Sequence, residues 1–334
     1  MTVSRVINNH IGVRELTRQK VVRSINALNY APNPAAQSLA GGDEMRIGLL
    51  YSNPSSSYLS EVLVGCLAEA SRSNMDLTVE QFDDAIKLDE LVDRLRRGGV
   101  NGIILPPPLC DSPKILAAFQ AVDLPTVLMA TGTGPTGTAA VSVDDFRAAY
   151  EMATHIVGLG HTRIGFVRGN PNQRASELRF KGYVAALEAA GIVPESMLVA
   201  QGYFTYRSGL DAAEQILDLT NRPTAIFASN DDMAAAAVAV ANRRGLDVPG
   251  DLTVCGFDDT LLATTIWPEL TTIRQPISDM SRTAVNLMAR QLRGGTAFAG
   301  QDGTQGTHVQ LDHFLIRRQS DAAPRRRPRH RDGS

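Results

Sequence analysis

The sequence predicts an α/β protein whose larger part contains two parallel sheets, preceded by a smaller all-α segment. From Met45 onward, short β-rich runs alternate with amphipathic stretches, a pattern typical of βαβ units whose parallel sheets are covered on both faces. There are too many of these units for one compact sheet, so two sheets are expected. Before Met45, by contrast, apolar residues recur at helical spacing and no β-rich run occurs.

The first 42 residues are predicted to form short helices. In the opening stretch MTVSRVINN, Val3, Val6 and Ile7 form one apolar stripe. A second helix is expected in TRQKVVRSINALNYAP, with Thr17 as its N-cap and its end before Pro32. A third short helix, AAQSLA, is ended by two glycines.

From Met45 the predicted strands and helices follow in alternation. The β-rich runs are RIGLLY, DLTVEQF, VNGIILP, PTVLMA, RIGFVRG, TAIFAS and LTVCGF. The amphipathic stretches include YLSEVLVGCLAEASRSN, FRAAYEMATHIVGLG, RFKGYVAALEAAG and DMAAAAVAVANRRG. After Thr271 the pattern changes to a long helix that ends at about Leu292 and a closing strand pair, HVQLDHFLIRR. The last residues, DAAPRRRPRHRDGS, are rich in proline and arginine and are expected to be disordered.

Composition and charge narrow the class of protein. The 334 residues are 43% hydrophobic and 20% charged, without an apolar run long enough to span a membrane or a secretory leader. Three scattered cysteines without a C-x-x-C pair favour a reducing cytoplasm. The net charge is +4 over residues 1–42, +3 over residues 321–334 and therefore −9 between them. A basic end on an acidic body is typical of a protein that meets a polyanion through one small part.

Common enzyme and metal signatures are absent from the sequence. It contains no P-loop, no G-x-S-x-G elbow and no H-E-x-x-H pair. The glycines of GLGHTRIG have the wrong spacing for a dinucleotide loop and are predicted to end a helix. The pairs His155 with His161 and His308 with His313 lack cysteines or carboxylates at ligand spacing. We therefore expect no catalytic residue, no metal and no cofactor.

The same phrases carry a family resemblance. TVSRVIN, a loop, TRQKVVRSINALNYAPNPAAQSLAGG and RIGLLY closely resemble the LacI/GalR family of bacterial transcriptional regulators. The likeness continues, in the family's order, through VSVDDFRAAY, GLGHTRIGFVRG, LRFKGYVAAL, PTAIFASND, VPGDLTVCGFDD and LTTIRQPISDM. Single phrases would be weak evidence, but their joint order and spacing are highly specific.

The resemblance implies a helix-turn-helix, a hinge helix and a two-lobed core of the periplasmic-binding-protein type (type I), with three crossovers between the lobes. The implied domains are a partial helix-turn-helix at 1–31, a hinge helix and linker at 32–44, an effector-binding domain at 45–318 and a disordered basic tail at 319–334. Within the effector-binding domain, the N-lobe covers about 45–144 and 275–300, and the C-lobe about 145–274 and 301–318.

TVSRVIN resembles most of the family's recognition helix, so the first helix and the turn of the helix-turn-helix are expected to be missing. Two explanations stay open: a start codon assigned too far downstream, or a chain that begins at Met1 with an impaired reading head. The first is favoured, because an uncapped helix with its apolar face unpaired should not be stable alone.

The resemblance assigns DNA contacts to the opening helix and the hinge helix. The opening helix matches family positions that touch phosphates and base edges, and Leu39 matches the leucine that wedges between base pairs in the minor groove. The predicted DNA-binding residues are Thr2, Val3, Ser4, Arg5, Asn8, Ala36, Gln37 and Leu39. Two plainer interpretations stay open: a solvated helix face, and a linker leucine that packs on its own domain.

The resemblance also implies a small-molecule site between the lobes, at the carboxyl ends of the strands. The predicted effector-binding residues are Tyr58, Asp144, Arg179, Phe204, Asn230, Asp258 and Gln275. Asn230 could instead only cap a helix, and Asp258 could only hold a turn. Arg179 is the least ambiguous, because a buried arginine needs an acidic or ligand partner.

Together these features predict a cytoplasmic transcriptional repressor, not an enzyme. Its expected partners are double-stranded operator DNA, a small effector of the sugar type and a second copy of the chain. The alternative is a freestanding carbohydrate-binding protein of the same fold with a non-functional DNA-binding arm.

Overall fold

The computed structural model describes Val6 and residues 14–27, 45–82, 87–131, 138–294 and 308–325. The chain divides into two compact units, Met1–Glu44 and Met45–Ser334. The predicted hinge helix at 32–44 lies outside the described residues.

In the first unit, Val6 is helical and buried, and helix α1 comprises Glu15–Ala27. The prediction that Thr17 caps this helix is wrong. Its amide N–H already donates to the Arg14 carbonyl at 2.9 Å, so Thr17 lies inside the first turn. Glutamate and leucine favour helix, which accounts for the earlier start at Glu15.

The second unit contains two α/β lobes. The N-lobe begins with β1 (Met45–Tyr51), α2 (Ser56–Arg72), β2 (Met75–Gln81), α3 (Leu88–Arg97), β3 (Gly102–Leu105), α4 (Pro113–Gln120), β4 (Thr126–Met129) and β5 (Ala139–Ser142). The C-lobe follows with α5 (Asp145–Gly158), β6 (Ile164–Arg168), α6 (Arg174–Ala189), β7 (Val199–Gln201), α7 (Tyr206–Leu217), β8 (Ala225–Ala228), α8 (Asp231–Arg243), β9 (Thr253–Asp258), α9 (Leu262–Thr265) and β10 (Thr271–Arg274). The chain returns to the N-lobe with α10 (Ile277–Leu292) and β11 (His308–Gln310), and re-enters the C-lobe with β12 (Phe314–Ile316).

In the described part of the chain, each lobe is built on a six-stranded sheet. The strand orders are β11-β5-β4-β3-β1-β2 in the N-lobe and β12-β10-β9-β8-β6-β7 in the C-lobe. All neighbouring strands are parallel except β12, which runs antiparallel to β10. The parallel strands of a sheet therefore end along one common edge. The predicted two-lobed α/β fold with parallel sheets is confirmed.

Helices cover both faces of each sheet, as the long apolar strand sequences indicate. In β1, the neighbouring residues Leu49 and Leu50 point to opposite faces: Leu49 packs with α2 and α10, and Leu50 with α3 and α4. In the C-lobe, α7 and α8 cover one face and α5 and α6 the other. Among the described residues, no helix is long and apolar enough to cross a membrane.

The predicted position of the third crossover, near residue 300, is wrong. The two strands expected to pair with each other belong to different sheets: β11 extends the N-lobe sheet beside β5, and β12 pairs with β10 in the C-lobe. The crossover therefore lies between Gln310 and Phe314, and the N-lobe continues to residue 310. Two β-rich runs so close in sequence are typical of a hairpin, so nothing in the sequence indicated that they belong to different sheets.

The prediction of disorder from residue 319 is also wrong for the described segment 319–325. Ser320 and Asp321 are buried, and the Ser320 hydroxyl donates to the Val254 carbonyl at 2.5 Å. Asp321 Oδ2 lies 2.9 Å from His155 Nε2. The Ala322 amide donates to Thr253 Oγ1 at 3.0 Å. These specific polar contacts order a segment whose composition alone favours disorder.

Candidate functional site

A cavity lies between the two lobes and contains about 360 Å³ of space that is partly open to solvent. Its lining residues follow the carboxyl ends of strands in both sheets. The N-lobe contributes Asn53, Ser55, Tyr58, Pro107 and Ala130, and the C-lobe and its exit contribute Gln173, Ala175, Arg179, Phe204, Asn230, Asp258 and Gln275. Six of the seven predicted effector-binding residues therefore line one cavity.

Arg179 is the centre of the polar network in this cavity. The side chain projects from α6 and is buried. Its Nε donates to Asp145 Oδ1 at 2.8 Å, and its Nη1 donates to the Ser229 carbonyl at 2.6 Å. Nη1 also lies 3.5 Å from Asp258 Oδ1, and the guanidinium stacks over the Phe257 ring at 3.5 Å. These contacts fix the planar guanidinium in one orientation.

Asp258 ends β9 in a backbone conformation that non-glycine residues rarely adopt, with φ of 113°. Such strain is concentrated at functional sites. Gln275 Nε2 donates to Asp258 Oδ1 at 2.5 Å. Burial raises the pKa of Asp258 to about 7, although Arg179 and the hydrogen bond from Gln275 lower it. Asp258 is therefore a carboxyl group whose charge is only partly compensated by the protein.

Two buried polar atoms in the cavity lack a protein partner in the described part of the chain: the Tyr58 hydroxyl and Gln275 Oε1. Burial, followed by the charge of Asp258, raises the pKa of Tyr58, so its hydroxyl stays protonated. An unpaired buried polar atom is costly, and native proteins contain few of them. Both atoms are therefore available to a ligand.

Asn230 is a helix cap, as one of the two interpretations of the sequence expected, and it also lines the cavity. As the N-cap of α8, its Oδ1 accepts from the Met233 amide at 3.0 Å. Its Nδ2 donates to the Phe204 carbonyl at 3.2 Å and so anchors the loop that presents the Phe204 ring to the cavity. Phe204 has a φ of 61°, and its ring packs against Gly169, where a Cβ would lie only 2.0 Å away.

Asp144 is not among the residues that line the cavity. It is the N-cap of α5, where its Oδ1 accepts from the Arg147 amide at 2.9 Å. The next residue, Asp145, pairs with Arg179 instead. We therefore correct the assignment of Asp144 as an effector contact: of two consecutive aspartates, one caps the helix and the other points inward.

Comparisons with known proteins identify the family. Residues 1–33 match the family described as bacterial regulatory proteins, lacI family, and residues 153–320 match the periplasmic binding protein-like domain. The HTH-type transcriptional regulator DegA of Bacillus subtilis (strain 168) is 34% identical over 296 residues, which is 88% of both chains. This chain belongs to the LacI family.

Two solved structures of transcriptional regulators are similar to this chain over most of its length. A transcriptional regulator CelR–cellobiose complex is 27% identical, with a TM-score of 0.75 over 95% of this chain and 94% of that one. A lac repressor dimer bound to operator and the anti-inducer ONPF is 26% identical, with a TM-score of 0.78 over 96% and 95%. The predicted family is confirmed, and the protein is a DNA-binding transcriptional regulator.

In the described part of this LacI-family regulator, two hydrogen bonds join the lobes beside the cavity. The Ser55 hydroxyl of the N-lobe donates to Asp232 Oδ2 of the C-lobe at 2.6 Å. The Arg174 amide, at the start of α6, donates to Asp111 Oδ2 of the N-lobe at 3.1 Å. Burial raises the pKa of both carboxyl groups, although these hydrogen bonds act in the opposite direction.

Sequence reasoning missed several residues of the site. Asn53 and Ser55 directly follow β1, and Gln173 precedes α6. Their position after a parallel strand could have indicated them, since that edge is where such folds bind ligands. The predicted DNA-binding residues Thr2, Val3, Ser4, Arg5, Asn8, Ala36, Gln37 and Leu39 all lie outside the described residues.

Proposed function

We propose that this LacI-family protein is a repressor whose homodimer binds operator DNA and responds to a sugar-like small molecule in the cavity between its lobes. One observation carries the choice of ligand: the Tyr58 hydroxyl and Gln275 Oε1 line the cavity, are buried and lack a protein partner among the described residues. A polyhydroxylated molecule offers both donors and acceptors, so it can satisfy both atoms at once.

The other lining residues suit the same chemistry. Arg179 presents a guanidinium of fixed orientation, which can donate to neighbouring ligand oxygens. Asp258 accepts hydrogen bonds from hydroxyl groups, and Phe204 offers an aromatic wall for the apolar face of a sugar ring. The cellobiose bound to one structural relative supports this class of ligand.

The proposed dimer is supported by exposed apolar side chains in both lobes. On α2, Val64 and Leu67 are more than half exposed, and Leu261 and Trp267 flank α9 with still greater exposure. Large exposed apolar side chains of this kind are typical of protein interfaces. The structural relative bound to operator is a dimer, and a palindromic operator mirrors a two-fold axis. We place the DNA contacts in the predicted residues of the opening and hinge helices.

The proposal is tested by selecting DNA sites from a random pool with this chain and with a version extended by the in-frame codons upstream of Met1, and then titrating sugars into the resulting complex. We expect one class of sugar to stabilise the protein against heat and to change its affinity for the selected DNA by about 5- to 150-fold. Sugar binding without selection of any DNA by either version would instead support the freestanding carbohydrate-binding protein. The proposal assigns no catalytic activity to the site, so recovery of chemically altered sugar would contradict it. It also places the protein in the cytoplasm, where its operator is.

A further inference from the structure

The charges around the cavity are unbalanced. Arg179 is the one cationic side chain that lines it in the described part of the chain. Three aspartates contact this arginine or the lining residues, and all are buried or partly buried: Asp145, Asp232 and Asp258. Asp232 accepts hydrogen bonds from the lining residues Ser55 and Asn230.

The arginine is already engaged by the protein. Its Nε and Nη1 contact Asp145, the Ser229 carbonyl and Asp258. The formal charge of these three aspartates and Arg179 is therefore negative, although burial raises the pKa of Asp232 and Asp258 and so reduces its size. A ligand with a carboxylate or a phosphate would meet excess negative charge in a site of low dielectric, whereas a cationic ligand would lower the electrostatic energy.

The unpaired atoms of the cavity also favour a ligand rich in donors. Gln275 donates to Oδ1 of Asp258, and among the described residues no hydrogen bond reaches Oδ2. The orientation of the Gln275 amide follows from that bond, so its Oε1 is an acceptor without a donor. The Tyr58 hydroxyl is the third atom without a hydrogen-bond partner. Burial raises the pKa of Asp258 to about 7, because Arg179 and the hydrogen bond from Gln275 offset the effect of burial only in part.

We propose that the effector carries a protonated amine, which binds among Asp258, Gln275 and Tyr58. An ammonium group has three N–H donors and no acceptor, so it matches these three acceptor atoms, whereas one hydroxyl donates only once. The aromatic faces of Tyr58 and Phe204, which line the same cavity, add attraction for a cation. This inference rests on the proposed function, since it specifies the class of sugar-like molecule that the cavity accepts.

Calorimetric titration of the full chain with matched compounds tests the inference. Each series contains a neutral sugar, its amino derivative, the N-acetylated amine and the uronate: glucose, glucosamine, N-acetylglucosamine and glucuronate, and the galactose equivalents. At about pH 7.5, where the sugar amine is still largely protonated, we expect the amine to bind at least about tenfold more tightly than the other three. Equal or tighter binding of the neutral or anionic member would overturn the inference while leaving the sugar-responsive function intact.

The pH dependence gives a second readout that needs no variant. Lowering the pH from about 7.5 to about 5.5 protonates Asp258, so the amine should lose roughly tenfold in affinity and the neutral sugar much less. The charged and titratable groups that face Asp258 are Arg179 of α6, Asp145 of α5, Asp231 and Asp232 of α8, and Tyr58 of α2. The same pH dependence for amine and neutral sugar would contradict a contact with Asp258.

Asp258→Asn should bring the ratio of amine to neutral-sugar affinity close to one. Glu177→Gln is the matched control, because it removes the same charge from an exposed position on α6 and should leave the ratio unchanged. If Asp258→Asn does not fold, the comparison of compounds and the pH profile of the unaltered chain still decide. Binding of no member of either series would overturn the inference for these hexoses, whereas the titration of other sugars decides the proposed function separately.

Discussion

The two lobes share a strand order but contribute unequally to the cavity. In each lobe, six strands follow the same spatial order, and two helices cover each face. The N-lobe lines the cavity with neutral residues, whereas the C-lobe contributes Arg179 and Asp258. The C-lobe side is thus a network bonded within itself, while Tyr58 on the N-lobe side keeps a hydroxyl without a protein partner. A shared topology therefore does not determine which lobe contributes the charged side chains of the cavity.

The lobes also differ at their last strands. The N-lobe sheet ends with β11, a parallel strand of three residues. The C-lobe sheet ends with the antiparallel β12, and residues 317–325 then add buried polar contacts to β9 and β10. The C-lobe should therefore depend on the C-terminal segment more strongly than the N-lobe does.

The largest expected effect comes from removing that segment. Deletion of residues 319–334 removes at least five hydrogen bonds made by Ser320, Asp321 and Ala322. At about 1 kcal/mol each, the free energy of unfolding should fall by several kcal/mol, measured by urea denaturation. A chain that ends at Arg325 retains these bonds and should have the same free energy of unfolding as the full chain. If all three chains had the same free energy of unfolding, the C-lobe would not depend on the C-terminal segment more strongly than the N-lobe does.

Arg179→Ala should lower both stability and effector affinity. The substitution leaves Asp145 and Asp258 buried without their cation, which typically costs about 3–5 kcal/mol. Arg207→Ala on α7 removes an exposed arginine and is the control, with no measurable change expected. Thermal unfolding and calorimetry with the effector measure both quantities. An unchanged melting temperature for Arg179→Ala would show that the C-lobe network is not a structural unit.

Tyr58→Phe should weaken effector binding about tenfold, since roughly 1–1.5 kcal/mol is lost with one hydrogen bond. Stability should stay the same or rise, because the hydroxyl has no partner in the described protein. Tyr183→Phe is a matched substitution in the C-lobe core, where the hydroxyl donates to the Ile164 carbonyl at 2.8 Å. Tyr183→Phe should instead lower the stability of the protein and leave effector binding unchanged. Identical behaviour of the two variants would contradict the different roles of these hydroxyls.

The smallest expected effect concerns a cap shared between the lobes. Ser55 caps α2 and also donates to Asp232, whereas Ser112 only caps α4. Alanine at either position should cost about 1 kcal/mol of stability. Only Ser55→Ala should also weaken effector binding, by a few-fold, because it loses the bond across the cavity. Equal effects on binding would show that the bond to Asp232 has no influence on the site.

The sequence predicts most of the fold because strand–helix alternation reports directly on βαβ units. It also predicts six of the seven nominated cavity residues, since residues that follow parallel strands meet at one edge. It missed the partnership of Asp145 with Arg179, which lie 34 positions apart. Spacing along the chain does not reveal such a contact, nor which of two adjacent aspartates faces inward. It misjudged residues 319–325 because composition carries no information on tertiary hydrogen bonds.

The start of α6 shows how a residue outside the cavity can set the dose of effector that the regulator needs. The N-cap residue of α6, Gln173, makes no capping bond with its side chain, and the bond comes instead from Asp111 in the opposite lobe. Separation of the lobes would leave that helix end uncapped, at a cost of about 1 kcal/mol. Apparent affinity scales with the fraction of molecules already in the binding-competent form. Substitution at Asp111 would thus raise the effector concentration needed for a half-maximal response by about fivefold, although Asp111 does not line the cavity.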